Sequence, residues 1–283
     1  MPGLRLAIML CAVSAAAGCL LRSDRPSAST ARSLPPVQPA EGAYIEWILL
    51  ERPLGDPFLD RDLWNDTLPI GSAETQALLV ENGLRAGVLA GNLPPRFQQI
   101  LESETDSLNG RGLTFGLRKD EVLPTNGPTE KCEFAVLTDL AGKRTRVALT
   151  QARCGVLVRP EALPDGRVRV TCEPQIQHGE KREWFRATAD VTGLVKHLEV
   201  PLVRYPEFAF DIVMGRNELL VIGWQANQHD TLGEALFGVE ANGQPRQRVL
   251  VIRARLANPN ALNDLPPLGT RRSSIAAEAG RPR

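Results

Sequence analysis

Residues 153–256 constrain the fold most, because they form the densest strand-forming stretch of the chain. Within them, residues 167–173 (Arg-Val-Arg-Val-Thr-Cys-Glu) alternate between polar and apolar. Successive side chains of a strand point to opposite faces, so this alternation predicts a half-buried strand. Pro164-Asp165-Gly166, just before it, is typical of a turn. The sequence therefore predicts a hairpin between 154–158 and 167–172.

Two further patterns place more strands in this stretch. Gly215-Arg216-Asn217 separates the apolar runs 208–212 and 219–222, and this predicts a second hairpin. The run 249–252 (Val-Leu-Val-Ile) is continuously apolar, which is typical of a strand buried on both faces. The sequence thus predicts a mainly antiparallel, sandwich-like β-domain over residues 112–256.

A smaller α/β domain is predicted upstream, over residues 43–104. Strand-like patterns at 44–50 and 84–90 alternate with helical patterns at 73–82 and 96–102. Ser72 is a suitable N-cap for the first of these helices, since its hydroxyl can accept a free backbone N–H. Together the two predicted domains give an α+β fold.

The chain begins with a pattern typical of export. Arg5 precedes an apolar stretch, residues 6–17, that is too short to favour a spanning helix. The stretch ends in Ala16-Ala17-Gly18-Cys19, which resembles the signal of bacterial lipoproteins. That resemblance implies a signal peptide over 1–18 and lipidation of Cys19. Simple cleavage of the signal, with Cys19 incidental, is the alternative.

Two segments have compositions typical of unfolded chain. Residues 19–42 are rich in Ser, Ala, Arg and Pro and are predicted to be a disordered tether. Residues 257–283 have the same character and are predicted to be a disordered tail.

Charge and composition argue against one class of partner. The chain has 33 basic and 33 acidic residues, and 5% of its residues are aromatic. Nucleic-acid binders normally carry a basic excess, and single-strand binders add aromatic stacking platforms. We therefore expect no nucleic-acid partner.

The strands of residues 153–256 resemble, in order and spacing, the C-terminal β-domain of secretins, the outer-membrane rings of type II and III secretion and pilus systems. The resemblance rests on a glycine-led strand ending in proline at 154–160, paired strands at 208–214 and 219–224, an "LG…LF" segment at 232–237 and a final strand at 249–252. The chain lacks alternating segments of the roughly 9–11 residues that membrane-crossing strands need. The resemblance therefore implies a shortened, degenerate relative or an accessory protein.

Three cysteines remain after the signal region: Cys132, Cys154 and Cys172. Cys154 and Cys172 lie on the two strands of the first predicted hairpin, so they are the candidate pair for a disulfide in an oxidising compartment. The alternative is three buried thiols that pack as small apolar side chains.

Two other functions stay open. His229 and Asp230 could supply a general base and its orienting carboxylate in a periplasmic hydrolase, although no nucleophile motif accompanies them. A polymer-binding envelope module would instead need an exposed aromatic groove, for which the tryptophans are the candidates: Trp47, Trp64, Trp184 and Trp224. No phosphate-binding glycine motif and no CxxC occurs, so we expect no cofactor and no metal.

These patterns together favour a non-enzymatic lipoprotein of the cell envelope. We expect it to be exported and anchored on the periplasmic side, in the outer membrane of a Gram-negative-type bacterium. Its expected role is structural, in assembly or in secretion. Its expected partners are the membrane, through the lipid, and either further copies of itself or another envelope or secretion protein.

Overall fold

The computed structural model describes residues 42–91, 93–103, 106–116, 120–187 and 194–256. The predicted signal peptide, Cys19, the predicted tail and all of the tether except Gly42 lie outside these residues. None of the described helices is both long and apolar enough to cross a membrane.

Fourteen strands and four α-helices form within the described residues. The strands are β1 (Gly42–Pro53), β2 (Leu68–Pro69), β3 (Leu84–Leu89), β4 (Ser107–Gly116), β5 (Glu121–Val136), β6 (Thr145–Ala162), β7 (Val168–Gln177), β8 (Arg182–Ala187), β9 (Leu194–Glu199), β10 (Leu202–Arg204), β11 (Phe210–Met214), β12 (Leu219–Trp224), β13 (Gly238–Ala241) and β14 (Gln244–Leu256). The helices are α1 (Leu63–Asn65), which continues a π-helical turn (Phe58–Asp62), α2 (Ala73–Glu81), α3 (Pro95–Leu101) and α4 (Leu232–Phe237).

The strands form two main antiparallel sheets and a separate ribbon. The first sheet has the order β2-β3-β12-β14-β1-β4, with β13 added beside β14. The second has the order β10-β7-β6-β5, with β11 also paired to β7. Strands β8 and β9 pair only with each other among the described strands. The predicted mainly antiparallel, sandwich-like α+β fold is confirmed.

The core has two parts because the central strands of the first sheet are buried on both faces. Leu250 and Ile252 of β14 face the second sheet, whereas Val249 and Val251 face a cluster formed by the π-helical turn, α1 and α3. All four side chains are at most 2% exposed, as the continuous apolar run predicts. Burial of one such side chain stabilises the fold by about 1.5–3 kcal/mol, so β14 is a main source of stability.

The segments predicted as two domains contribute to one sheet. From the upstream segment, β1 pairs with β14 along its length, from Ala43 opposite Leu256 to Pro53 opposite Arg246, and β3 pairs with β12. The described residues accordingly cluster as one compact unit. The reason is that β12 and β14 are buried on both faces, so their backbone N–H and C=O groups need hydrogen-bond partners on both edges, and β1 and β3 supply them.

One predicted hairpin forms and another does not. Strands β6 and β7 pair as predicted, with Val158 opposite Cys172 and Gly166 in the turn at φ +88°. The hairpin predicted at Gly215-Arg216-Asn217 is wrong, since β11 joins the second sheet and β12 the first. The fully buried β12 takes a central place in the first sheet, whereas β11 has an exposed face and, among the described strands, pairs with β7 alone.

Candidate functional site

His229 and Asp230 lie in the turn before α4, where a capping arrangement organises them. The Thr231 hydroxyl accepts the Glu234 N–H at 3.3 Å and donates to the Gln228 carbonyl at 3.1 Å. Glu234 reaches back, accepting the Asp230 N–H at 2.6 Å through Oε2 and facing His229 Nδ1 at 3.2 Å through Oε1. Thr231 and Glu234 thus have the spacing of a capping box, but the Glu234 carboxylate accepts the N–H of Asp230, the residue before the N-cap, rather than that of the N-cap Thr231.

His229 and Asp230, the candidate hydrolytic pair, therefore do not contact each other through their side chains. Glu234, rather than the Asp230 carboxylate, faces the His229 ring, and Asp230 contributes its backbone N–H from a left-handed conformation at φ +55°. No hydroxyl or thiol of the described residues hydrogen-bonds the His229 ring, whose side chain is 63% exposed. Sequence reasoning missed Glu234, although Thr231 and Glu234 have the spacing of a capping box.

A cleft of about 500 Å³ lies beside this turn, with Trp224, Glu234, Glu240 and Arg246 among its lining residues. Its one basic side chain is already engaged, because Arg246 pairs with the buried Glu51 at 2.8 Å. Arg248 contacts the same carboxylate at 2.8 Å. The cleft could hold a small polar molecule, but the described residues present it with no nucleophile and no cluster of metal ligands.

The tryptophans do not build an aromatic groove within the described side chains. Trp47 and Trp224 are 4% and 3% exposed and belong to the core. Trp64 is half-buried, and the Arg85 guanidinium lies 4.7 Å from its ring centroid. The side chain of Trp184 lies outside the described set. A polymer-binding surface built on stacked rings therefore has no support from the described tryptophans.

Cys154 and Cys172 do not form the proposed disulfide. The turn between β6 and β7 sets a register in which Cys154 faces Ile176 and Cys172 faces Val158. The two cysteines are thus four positions apart along the ladder, about 13 Å at strand spacing, which is too far for a disulfide. All three described cysteines are free and buried, which agrees with the alternative prediction of three buried thiols. Interaction with Cys132 of β5, together with burial, raises the pKa of the Cys154 thiol.

The β8–β9 ribbon carries two of the three most exposed large apolar side chains among the described residues. Glu183 lies opposite Leu198 and Phe185 opposite Lys196, so Phe185 and Leu198 are diagonal neighbours on one face. Both side chains are 60% exposed. The sequence did not predict this ribbon, because its apolar residues are interspersed with charged ones. The signal that could have found it is the pair of short apolar runs, at 184–185 and 194–195, on either side of residues 186–193.

Cys19 lies outside the described residues, so its lipidation stays a prediction. No protein-family model matches the chain, and neither a curated protein nor a solved structure matches it.

Proposed function

We propose that this chain is a non-enzymatic lipoprotein of the cell envelope that contacts another protein through its β8–β9 ribbon. The observation that carries this proposal is the exposure of Phe185 and Leu198 on a ribbon outside both sheets. The partner is an envelope or secretion protein or a second copy of this chain.

A two-stranded ribbon is marginally stable in water unless a third strand or a packed layer covers it. Its outer edges present backbone N–H and C=O groups that an added strand can pair. Covering Phe185 and Leu198 would contribute about 1–2 kcal/mol for each side chain. A partner strand or face thus supplies the cover that the described residues do not give the ribbon.

The sequence of the N-terminus supports the envelope location. Its short apolar stretch ending in Cys19 resembles a lipoprotein signal, and the predicted tether of 19–42 would let the body stand away from the lipid surface. The resemblance of 153–256 to the secretin β-domain supports an assembly or secretion role.

The test is the oligomeric and complexed state of the full chain. We expect Phe185→Glu with Leu198→Glu to abolish self-association in light scattering, or to abolish a crosslinked complex in envelope extracts. Leu68→Glu is the matched control, since Leu68 is also 60% exposed but lies on β2. A strict monomer that yields no crosslinked partner in cells would contradict the proposal, as would equal effects of both variants.

A further inference from the structure

The sequence contains four Asn-Gly pairs: Asn82-Gly83, Asn109-Gly110, Asn126-Gly127 and Asn242-Gly243. Because glycine has no Cβ, the backbone nitrogen that follows the asparagine is unhindered and can attack the side-chain carboxamide. The reaction requires both groups to be free to approach each other. The fold therefore decides which of these pairs can react.

Two of the pairs are held by hydrogen bonds. Asn82 is fully buried, and its carboxamide donates to the Leu137 carbonyl and accepts the Leu137 N–H, each at 2.8 Å. The Asn126 carboxamide donates to the Gly238 carbonyl at 2.7 Å and accepts the Gly127 N–H at 2.8 Å. These bonds would have to open before either asparagine could react.

Asn242-Gly243 is different, because it forms the exposed two-residue loop between β13 and β14. Ala241 and Gln244 are the last paired residues, and both loop residues have positive φ, +55° and +70°, as in a common type of hairpin loop. Among the described residues, no hydrogen bond holds the Asn242 carboxamide or the Gly243 N–H. A Cβ at Gly243 would meet no atom within 4 Å, so the space beside it is open. The side chain of Asn109 lies outside the described set.

We infer that Asn242 is a site of spontaneous deamidation in the folded chain. The Gly243 backbone nitrogen attacks the carboxamide carbon of Asn242, forms a succinimide ring and releases ammonia. Water then opens the ring at either of its carbonyl carbons and leaves aspartate or isoaspartate at position 242. Overall, one carboxamide and one water give one carboxylic acid and one ammonia.

The product would change the cleft beside α4. Gly243, Glu234 and Glu240 line this cleft, and Arg246, the basic residue of its lining, is engaged with Glu51. A new carboxylate next to Gly243 therefore adds to the negative charge of the cleft. Isoaspartate also adds a carbon to the backbone of the loop, and the loop length fixes the register of β13 and β14.

The test is incubation of the purified full chain in mildly alkaline buffer, followed by tryptic mapping with mass spectrometry that separates aspartate from isoaspartate. The Asn-Gly pairs fall on separate peptides, 62–85, 97–111, 120–131 and 217–246. We expect acid to form in 217–246 at least about tenfold faster than in 62–85 or 120–131, because those two sites react only after local opening. The same incubation in urea should remove this difference.

A variant separates this site from Asn217 and Asn227, which share its peptide. Asn242→Gly introduces a residue that tolerates positive φ and should abolish the acid in 217–246, with circular dichroism to check that the variant folds. Equal rates in 62–85 and 217–246 of the folded chain would overturn the inference, as would acid that persists in Asn242→Gly. A rate at Asn242 more than about tenfold lower in the folded chain than in urea would also overturn it, because the loop would then be protected.

Discussion

At the scale of single residues, buried ion pairs between β1 and β14 are the costliest groups to disturb. Glu46 is 3% exposed and contacts Arg253 and Arg255, while Glu51 is 8% exposed and contacts two other arginines of β14. A buried charge is tolerated when it is paired, and removing one partner leaves the others uncompensated.

We therefore expect Glu46→Gln to lower the free energy of unfolding by about 3 kcal/mol, because two arginines lose their shared carboxylate. Urea denaturation measures the change. Glu81→Gln breaks the exposed pair with Arg144 and should cost less than about 1 kcal/mol. Equal losses in the two variants would contradict the assignment of Glu46 as a buried charge.

Asp56 makes a pH-dependent contribution at the start of the π-helical turn. Its carboxylate accepts the Phe58 N–H and binds Arg52 at 2.8 Å. Burial alone would raise the pKa of Asp56, but Arg52 and the backbone N–H groups of Leu59 and Phe58 hold this pKa below its ordinary value of 3.8. Because the folded pKa is the lower one, the stabilisation is complete above about pH 4 and is lost as pH falls toward the folded pKa.

We expect Asp56→Asn to be less stable than the unmodified chain at pH 7, and this difference to shrink as the pH falls below 3.8. Urea denaturation at a series of pH values from 7 to 3 measures it. A difference that stays constant over this range would mean that the Asp56 charge does not contribute.

At the scale of elements, α4 docks onto the end of α2 through two glycines. The Gly233 N–H donates to the Asn82 carbonyl at 2.9 Å, and a Cβ at Gly233 would collide with the Gly83 carbonyl oxygen. Asn82 itself bonds Leu137 through both its amide nitrogen and its amide oxygen. The contact therefore joins α2, α4 and the chain that leaves β5.

We expect Gly233→Ala to destabilise the fold by about 2–3 kcal/mol, since backbone rather than a flexible side chain blocks the added carbon. Gly215→Ala is the control, because its Cβ would meet only Glu218 side-chain atoms at 3.5 Å or more. Thermal unfolding of both variants measures the effect. Equal melting temperatures would show that α4 does not pack as described.

Local patterns predicted elements well and their partners poorly. The turn at Gly166, the cap at Ser72 and the two-faced burial of 249–252 each follow from a few neighbouring residues, and each forms. The short connection at 215–217 suits both a hairpin and a crossing between sheets. Strands that are distant in the sequence decide which of the two forms. The position of Glu234 beside His229 likewise depends on the start of α4, a helix that was not predicted.

Strand β5 illustrates the same limit. Residues 124–131 contain Pro124, Gly127 and Pro128, which interrupt the pattern of a regular strand, yet they lie within β5. The register shifts between Pro124 and Asn126, and again between Asn126 and Thr129, let the strand accommodate them. Bulges of this kind carry no periodic pattern, so they are visible only when the partner strand is known.

At the scale of the whole molecule, the two segments that were predicted as separate domains share one sheet. Because β1 and β3 pair with β14 and β12, the segment 43–104 lacks its neighbours when it is separated. We expect a fragment of residues 43–104 to be unfolded by circular dichroism and residues 42–256 to fold. A fragment with cooperative unfolding of its own would favour two independent domains.

The proposed function depends on contact between the β8–β9 ribbon and a protein partner in the envelope. Site-specific photo-crosslinking in cells tests it most directly, with the photoreactive residue at position 185 and, as the control, at position 68. We expect a discrete adduct from position 185, either with a second copy or with one envelope protein, and none from position 68. No adduct from position 185, or the same adducts from both positions, would contradict it.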